Sequence, residues 1–436
     1  MKLSHLKIDR NKLAYYLIRL VTFPLMYVPF RLIHKIGKVL GFFSYFVLRE
    51  YRKRTLSNLA LANDLKLSNI EIKKIAIQSF QNLAITVLEY PKLHSKKDLS
   101  KIIKCENPHI ANKLYSEKKG IIFFCAHQSN WEVLFLDGTS RMKGIAIGRP
   151  IKNKKLYKWI LKIRQKMGGK IITPKNALRE GLKNLKKGVF MGIVGDQSMP
   201  DSNYYFPFLG RRAWTSTAPA LLSYKTNCPI IVATTKRING GYRIHYSDPI
   251  WPNQKEPLEK EVKRLMNNSL SILQQTIKQR PFEWLWQHNR WKQQTPKIIY
   301  KRFRHDCICI ILPKKREDFE KIIKHLPILK SIYHRDFISI LCPKKHKNDP
   351  LINSDDVIYY KDYKETLLDD YRFKLVYNFT PFRKINSHYT KLSAFEVITI
   401  KKLQKLALKK LDKNQISDLS KVFEAAICRK PLSQIN

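Results

Sequence analysis

The sequence contains few acidic residues for its length. Asp and Glu number 34 in 436 residues, against 83 Lys and Arg, which gives a formal net charge of +49. This imbalance excludes a neutral enzyme of ordinary composition. It favours a polyanionic partner, whether nucleic acid, an anionic membrane surface, or an acidic protein or lipid.

Cysteine is also scarce and is not arranged in pairs. The seven cysteines are odd in number, and no C-x-x-C sequence occurs. A disulfide framework and a zinc knuckle both need regularly spaced cysteines, so neither is expected. Most of the cysteines stand in apolar runs, which is typical of small buried residues in a protein of a reducing compartment.

Long apolar runs are absent from the amino-terminal region. The longest uncharged runs, 20–30 and 39–48, are shorter than the roughly 20 apolar residues of a transmembrane helix. Because cations flank these apolar and aromatic runs, residues 1–54 are predicted to form a helical segment that associates with a membrane interface. Two alternatives remain: one marginal span through 13–30, or two amphipathic helices of a soluble core.

Strand patterns alternate with helix patterns between 55 and 297. A helical stretch over 55–105 is followed by short apolar runs, which indicate buried strands, and by segments of helical period. The predicted strands are 120–126, 143–148, 170–173, 189–194, 229–235 and 242–246, and the predicted helices begin near 131 and cover 154–167, 177–187, 215–226 and 258–278. This alternation predicts an α/β fold with a mixed, largely parallel sheet flanked by helices.

A second unit is predicted over 300–436, a small α/β module with its own core. Its predicted strands are 307–312, 337–342, 356–360 and 374–378, and its predicted helices are 317–333, 403–411 and 418–428. The segment 312–316 contains no glycine, which excludes a glycine-rich phosphate loop there. Two roles remain open: a docking or regulatory module, or a remnant of one half of a sugar-transferase-like enzyme.

His127 and Glu132 form an H-x4-E pattern directly after the predicted strand 120–126. Sites of α/β folds lie at the carboxyl ends of strands, so His127 stands where chemistry is expected. We expect Glu132, on the first turn of the next helix, to reach back to the imidazole and make its other nitrogen a better general base. The pattern alone carries little weight, because this composition produces about one such match by chance.

Four ordered blocks of residues accompany this pair. They are His127-Gln-Ser-Asn-Trp-Glu132; Arg149-Pro150 with Asn153, Arg164 and Gly168; Asp196-Gln197 with Phe206-Pro-Phe-Leu-Gly210 and Thr215-Ser-Thr217; and Pro281, Trp284, Trp286, His288, Arg290, Trp291 and Lys292. Together with the amino-terminal anchor, about residues 1–297 resemble the late acyltransferases of lipid A biosynthesis, which add lauroyl or myristoyl chains. Residues 300–436 lie outside the resemblance.

The resemblance implies a role for each matched residue. His127 is the general base and Glu132 its partner. Arg164 matches the family's active-site arginine, whose permanent charge holds the thioester oxyanion or a phosphorylated acceptor. Asp196 matches an aspartate near the site that orients Arg164 or His127.

Two further matched residues, Arg149 and Asn153, are implied to contact the acceptor. Without the resemblance, Arg149 and Arg164 are equally well explained as solvated helix charges. The chain departs from the pattern at Ser129, where many members carry glycine. This departure is expected to reshape the loop beside His127.

The resemblance implies a membrane-associated acyltransferase at the cytoplasmic face of the inner membrane of a Gram-negative type bacterium. It transfers a fatty acyl chain from acyl carrier protein to a hydroxyl of a Kdo-bearing lipid A precursor, and it needs no metal or organic cofactor. The acidic donor, the phosphorylated acceptor and the anionic membrane surface are partners that the net charge attracts. One alternative is an acyltransferase for another glycolipid, such as a phosphatidylinositol mannoside. A basic nucleic-acid-binding protein is a second alternative, although the sequence contains no recognisable nucleic-acid-binding motif.

Overall fold

A computed structural model describes residues 9–96, 98–294, 296–354 and 356–434. The strands are β1 Ile103–Cys105, β2 Ile122–Cys125, β3 Gly144–Ile147, β4 Lys170–Ile172, β5 Phe190–Val194, β6 Tyr205–Phe208, β7 Arg211–Trp214, β8 Ile230–Ile238, β9 Gly241–Tyr246, β10 Cys307–Ile311, β11 Phe337–Pro343, β12 Asp356–Tyr360, β13 Leu375–Asn378 and β14 Glu396–Thr399.

The helices cover both the amino-terminal region and the connections between strands. They are α1 Arg10–Thr22, α2 Phe30–Val47, α3 Arg49–Leu61, α4 Asn69–Ser95, α5 His109–Ser116, α6 Glu132–Arg141, α7 Lys154–Arg164, α8 Ala177–Leu185, α9 Ala218–Thr226, α10 Leu258–Gln279, α11 Arg316–Ile323, α12 Leu326–Ile332, α13 Lys384–Lys391, α14 Ile400–Ala407 and α15 Leu419–Ile427.

The first sheet contains seven strands in the order β1-β9-β8-β2-β5-β3-β4. Its pairs are parallel except for β8 with β9, which run antiparallel. The central strand β2 is buried along its whole length, as expected for a strand covered by helices on both faces. The predicted α/β class with a largely parallel sheet is therefore confirmed.

The helices α2 and α4 pack closely in the amino-terminal part. The inward face of α2 repeats every four residues through Ile33, Gly37 and Gly41, which are buried. A side chain at Gly41 would place its Cβ 2.3 Å from the Cα of Gln81 on α4, so glycine permits this approach. The outward faces of α1 and α2 carry exposed apolar side chains, including Phe42, Phe43 and Phe46.

Membrane association of this segment stays a prediction. Within the described ranges, no helix has both the length and the hydropathy that a membrane crossing requires.

The second sheet contains five parallel strands in the order β12-β11-β10-β13-β14. Alternate residues of β10 face opposite sides: Ile308 and Ile310 join a core formed within the carboxyl-terminal part. Cys307 and Cys309 join the core that the two sheets share. The second sheet is therefore packed against the rest of the chain, and the proposed boundaries at 54 and 300 stay predictions.

The carboxyl-terminal part also differs from the predicted element list. The single helix predicted over 317–333 is two helices, α11 and α12, which are separated near His325. Pro327 lies in the first turn of α12, where its missing N–H costs no hydrogen bond, although it would break a continuous helix. The edge strand β14 and the helix α13 of this part were not predicted. In the region before it, the hairpin β6–β7 was not predicted either.

Candidate active site

His127 and Asp196 meet at the carboxyl ends of two neighbouring strands. The parallel strands β2 and β5 pair with Cys125 opposite Val194, and each residue of the site follows its strand by two positions. The Nδ1 atom of His127 lies 2.7 Å from Oδ1 of Asp196. The backbone N–H of His127 donates to Oδ2 of the same carboxylate at 2.8 Å. The parallel pairing thus fixes both the position and the orientation of the imidazole.

Gly195 permits the close approach of these two strand ends. A Cβ at this position would lie 2.2 Å from the Phe124 ring, which is a core residue of β2. The backbone N–H of Gly195 donates to the carbonyl of Cys125 at 3.0 Å. Any larger residue at 195 would therefore push Asp196 away from His127.

Asp196 is a buried carboxylate that stays ionised. Only 2% of its surface is exposed, and Trp284 Nε1–H donates to its Oδ2 at 2.6 Å. Burial opposes ionisation, but the charge of His127 and the hydrogen bonds from His127 and Trp284 lower the pKa of Asp196 to about 2. An ionised Asp196 holds the proton on Nδ1 of His127 and leaves Nε2 as the acceptor. The Nε2 atom lies 3.3 Å from the Gln197 side-chain nitrogen.

The predicted contact between Glu132 and His127 is wrong. The Oε2 of Glu132 accepts from Arg164 Nε–H at 2.8 Å, and Oε1 accepts from Arg164 Nη2–H at 2.5 Å and from the Tyr90 hydroxyl at 2.7 Å. The turn at Ser129 redirects the chain before α6 begins, so Glu132 points toward α7. Asp196 takes the place on Nδ1 that Glu132 was expected to fill.

Arg164 at the end of α7 and Glu132 at the start of α6 form a two-point ion pair. The side chains are 21% and 6% exposed. Burial disfavours the cation, but the facing Glu132 carboxylate raises the pKa of Arg164 further above its already high value. The bidentate geometry fixes the plane of the guanidinium, so a permanent positive charge has a defined place near the site.

The other two predicted substrate contacts lie elsewhere. Asn153 caps α7 by accepting the Leu156 N–H at 3.1 Å, and its amide donates to the carbonyl of Asn11 at 2.6 Å. Arg149 is exposed in the loop between β3 and α7. Neither side chain is hydrogen-bonded to His127, Glu132 or their described partners. Their contact with an acceptor stays a prediction.

The loop between His127 and Glu132 is held by buried hydrogen bonds. Ser129 has a φ of 53°, in the left-handed region that favours glycine. Its N–H donates to the Glu283 carbonyl at 2.8 Å, and its carbonyl accepts from the Thr86 hydroxyl at 3.0 Å. The strained residue is therefore fixed from two sides, and the position is one where a glycine would fit the backbone without strain.

Glu89 connects this loop to the amino-terminal helices. Its fully buried carboxylate accepts from the Asn130 amide at 2.9 Å, lies 2.8 Å from His34 Nε2 on α2, and also accepts from Arg237 and Tyr242. Burial opposes its ionisation, yet the charge of Arg237 and the bonds from His34 and Tyr242 lower the pKa of Glu89. One carboxylate thus links α2, the site loop and the strands β8 and β9.

An apolar cavity of about 610 Å³ adjoins the Glu132–Arg164 pair. Tyr90 belongs to both, since its ring lines the cavity and its hydroxyl donates to Glu132. The lining comes from α1, α4 and α7 and consists of Leu17, Ile18, Val21, Thr22, Val87, Tyr90, Leu156, Trp159 and Ile160. The cavity is large enough for an extended apolar group and opens beside charged side chains.

Several residues of the site were missed by sequence reasoning. Trp284 and Gln197 stand in the quoted blocks, but neither of them received a role in the site. Tyr90 and Glu89 lie within α4, where the sequence shows no signal beyond helical period. Within the described ranges, no group of three or more His, Cys, Asp or Glu side chains is arranged to hold a metal ion.

Comparison with known proteins identifies the family. The model of the bacterial lipid A biosynthesis acyltransferases matches residues 3–293, which is well over half of the chain. A search of curated proteins found no match. The matched range contains the whole His127–Asp196 site and ends before the second sheet. The chain belongs to the bacterial lipid A biosynthesis acyltransferase family.

Proposed function

We propose that the protein transfers a fatty acyl chain from acyl carrier protein to a hydroxyl of a Kdo-bearing lipid A precursor. Family membership supports acyl transfer of the lipid A type. The observation that carries the assignment to this site is the His127–Asp196 pair at the carboxyl ends of β2 and β5. The Arg164–Glu132 pair and its adjoining apolar cavity support it. A base, a fixed cation and an apolar cavity are the elements that transfer of an acyl chain requires.

The proposed mechanism uses His127 as the general base. Its Nε2 accepts the proton of the acceptor hydroxyl while the hydroxyl oxygen attacks the thioester carbonyl. A new carbon–oxygen bond forms, the carbon–sulfur bond breaks, and the proton passes from His127 to the departing thiol. No covalent enzyme intermediate forms. Asp196 stabilises the imidazolium that exists between these proton transfers.

Arg164 supplies the charge that the reaction needs. Its guanidinium binds either the oxyanion that develops on the thioester carbonyl or a phosphate of the acceptor. Glu132 acts as a positioning residue in this scheme, because its two oxygens hold the guanidinium. This role replaces the direct partnership with His127 that the sequence predicted.

The acyl chain is assigned to the apolar cavity. Its walls are almost entirely aliphatic or aromatic, and burial of each methylene of the chain contributes about 0.8 kcal/mol. Because α1 supplies four of the lining residues, Leu17, Ile18, Val21 and Thr22, the amino-terminal segment contributes directly to binding of the chain.

The same amino-terminal helices are proposed to lie on the cytoplasmic face of the inner membrane. Exposed apolar residues on α1 and α2 include Leu20, Val21, Phe43 and Phe46, and exposed cations such as Lys38 accompany them. This combination suits the interface of an anionic bilayer. Docking there would bring the cavity near the acyl chains of a lipid acceptor.

The test is an acyl-transfer assay with membranes that carry the wild-type protein, His127→Ala or His109→Ala. His109 lies on α5 and is exposed, so it controls for the loss of a histidine. Acyl carrier proteins loaded with several chain lengths and a tetra-acylated, Kdo-bearing precursor are supplied, and products are read by mass spectrometry. We expect a new acyl mass with wild type and His109→Ala that falls about 1,000-fold or more with His127→Ala. Transfer that persists with His127→Ala contradicts the assignment of the base, and product only with another glycolipid changes the acceptor.

A further inference from the structure

Residues 283–290, here called the tryptophan segment, lie against the His127–Asp196 pair. The backbone N–H of Leu285 donates to the carbonyl of His127 at 3.0 Å. The indole N–H of Trp284 donates to Oδ2 of Asp196 at 2.6 Å. Because the segment binds one member of the pair through its backbone and the other through a side chain, its position helps to set the geometry of both.

Asn58 of α3 holds the carboxyl half of the tryptophan segment. Its side chain is fully buried, and its amide nitrogen donates to the carbonyls of Trp286 at 2.8 Å and His288 at 2.6 Å. Both N–H groups of one amide are therefore used on the segment. The amide oxygen, at the other end of the group, is left to accept a hydrogen bond from elsewhere.

The donor to this oxygen comes from the carboxyl-terminal module. Lys374, directly before β13, places its Nζ atom 3.4 Å from Oδ1 of Asn58 and 2.6 Å from Oδ1 of Asn289. Asp306, directly before β10, has its Oδ1 atom 2.8 Å from the same Nζ atom, and both charged side chains are only 2% exposed. The three N–H donors of the ammonium group thus have three acceptors, which a buried cation requires.

The ammonium group of Lys374 also determines which way round the Asn58 amide lies. A flipped amide would set its oxygen against the carbonyls of Trp286 and His288 and its nitrogen against a cation, so both ends oppose the flip. Lys374 holds the same segment a second time through Asn289. The module therefore fixes the carboxyl half of the segment through two contacts of one cation.

Helix α3, which carries Asn58, is itself attached to the carboxyl-terminal module. Lys53 donates to the Ala394 carbonyl at 2.6 Å, and Ser57 donates to the Arg372 carbonyl at 2.8 Å. The helix is therefore held on the module at two further points along its length, and Asn58 is presented to the tryptophan segment from a fixed support.

We propose that Lys374, paired with Asp306, is a positioning residue for the His127–Asp196 pair. It acts in two steps: the ammonium fixes Asn58 and Asn289, and the tryptophan segment that they hold carries Trp284 to Asp196. This role rests on the proposed acyl transfer at His127. It gives residues 300–436, which lie outside the family match over 3–293, a function within the active site in place of docking to a partner.

The test compares two double variants of the full-length protein, each of which replaces one ion pair of the module by apolar side chains. The junction variant is Lys374→Met with Asp306→Leu, so that neither partner is left as an unpaired buried charge. The control variant is Arg372→Met with Asp370→Leu, because the Arg372 guanidinium binds Asp370 and Asp356 within the module. Thermal unfolding shows whether each variant is folded.

A milder variant covers the case in which the junction variant does not fold. Asn289→Ala removes one contact between Lys374 and the tryptophan segment and keeps the buried ion pair with Asp306. We expect it to change the same measurement in the same direction, by about threefold.

The measurement is hydrogen exchange of the indole N–H groups in protein labelled with ¹⁵N-tryptophan. We expect the Trp284 indole to exchange about tenfold faster or more in the junction variant and within about twofold of wild type in the control variant. Trp159, a buried indole of α7, reports general loosening of the protein and should stay within about twofold in both variants. Unchanged exchange at Trp284 overturns the positioning role. Equal acceleration at Trp159 or in the control variant overturns it as well.

Acyl transfer supplies the second readout. In the junction variant we expect kcat to fall about tenfold while KM stays within about twofold, because the change misplaces the reacting groups and leaves the binding surfaces in place. The exchange measurement needs no substrate. A wrong acceptor would therefore abolish transfer in wild type as well, whereas a wrong positioning role would leave exchange at Trp284 unchanged.

Discussion

The two parallel sheets of this protein use the same strand edge for different chemistry. At the first sheet, the carboxyl ends of β2 and β5 present a buried carboxylate and an imidazole. At the second, the loops after β10 and β13 present the exposed cations Lys315 and Arg383. The backbone geometry is shared, so the difference comes from the side chains placed on it. The comparison teaches that a parallel sheet supplies a location and that the residues supply the function.

The largest expected effect comes from neutralising Asp196, the carboxylate at the carboxyl edge of the first sheet. Asp196→Asn keeps the shape but allows the amide to hold the wrong tautomer of His127, so we expect acyl transfer to fall about 1,000-fold or more. The rate is measured on purified protein with a fixed acyl donor. Asp201→Asn, an exposed acid in the same region, serves as the control and should retain full activity. A loss of less than tenfold with Asp196→Asn would mean that acyl transfer does not depend on the Asp196 carboxylate.

A smaller effect is expected from replacing the guanidinium of Arg164. Arg164→Lys keeps the positive charge but cannot bind both oxygens of Glu132, so the charge loses its fixed direction. We expect acyl transfer to fall about 100-fold. The rate is compared with that of Arg179→Lys, which changes an arginine on α8 whose side chain is 80% exposed. Equal rates for Arg164→Lys and wild type would show that acyl transfer needs a positive charge at this position but not a guanidinium held by Glu132.

The buried carboxylate also predicts a difference in acid stability. The pKa of Asp196 is lowered from 3.8 to about 2 in the folded protein, so its stabilising contribution is present above pH 4 and is lost as the pH falls toward 2. That contribution is on the order of 2 kcal/mol. We expect denaturant unfolding of Asp196→Asn to depend less steeply on pH between 4 and 2 than that of wild type. If the free energy of unfolding changed equally steeply with pH in wild type and Asp196→Asn, the ionised, paired state of Asp196 would be contradicted.

The smallest expected effect concerns the strained loop between His127 and Glu132. Ser129→Gly removes a side chain whose hydroxyl has no hydrogen-bond partner among the described residues and relieves a left-handed backbone. Relief of about 1 kcal/mol is offset in part by the greater freedom of glycine in the unfolded chain. Unfolding free energy should therefore rise by less than 1 kcal/mol, with acyl transfer unchanged. Ser129→Val should instead destabilise the protein, and equal stability of the two variants would contradict the strain.

Strand ends were predicted well because they depend on local sequence. The apolar runs before His127 and Asp196 marked β2 and β5, and parallel pairing then brought the two residues together. The partnership of Glu132 was not predictable in the same way. It depends on the turn at Ser129 and on the position of Arg164 on α7, which the packing of distant elements determines.

In the carboxyl-terminal module, too, some elements could be predicted from local sequence and others could not. Its strands over 307–312 and 374–378 were predicted from apolar runs, and β10 and β13 confirm them. The short edge strand β14 has few apolar residues to mark it, and Pro327 was a readable signal for the helix break that the prediction overlooked.

The most direct test of the central claim is the tautomer of His127 in wild type, Asp196→Asn and Glu132→Gln, read from the ¹⁵N chemical shifts of the imidazole at a pH where the ring is neutral. Asp196 lies on Nδ1 of His127, and Glu132 binds Arg164. We therefore expect the proton to stay on Nδ1 in wild type and in Glu132→Gln, and to lose that preference in Asp196→Asn. Loss of the Nδ1 tautomer in Glu132→Gln, with its retention in Asp196→Asn, would contradict these assignments.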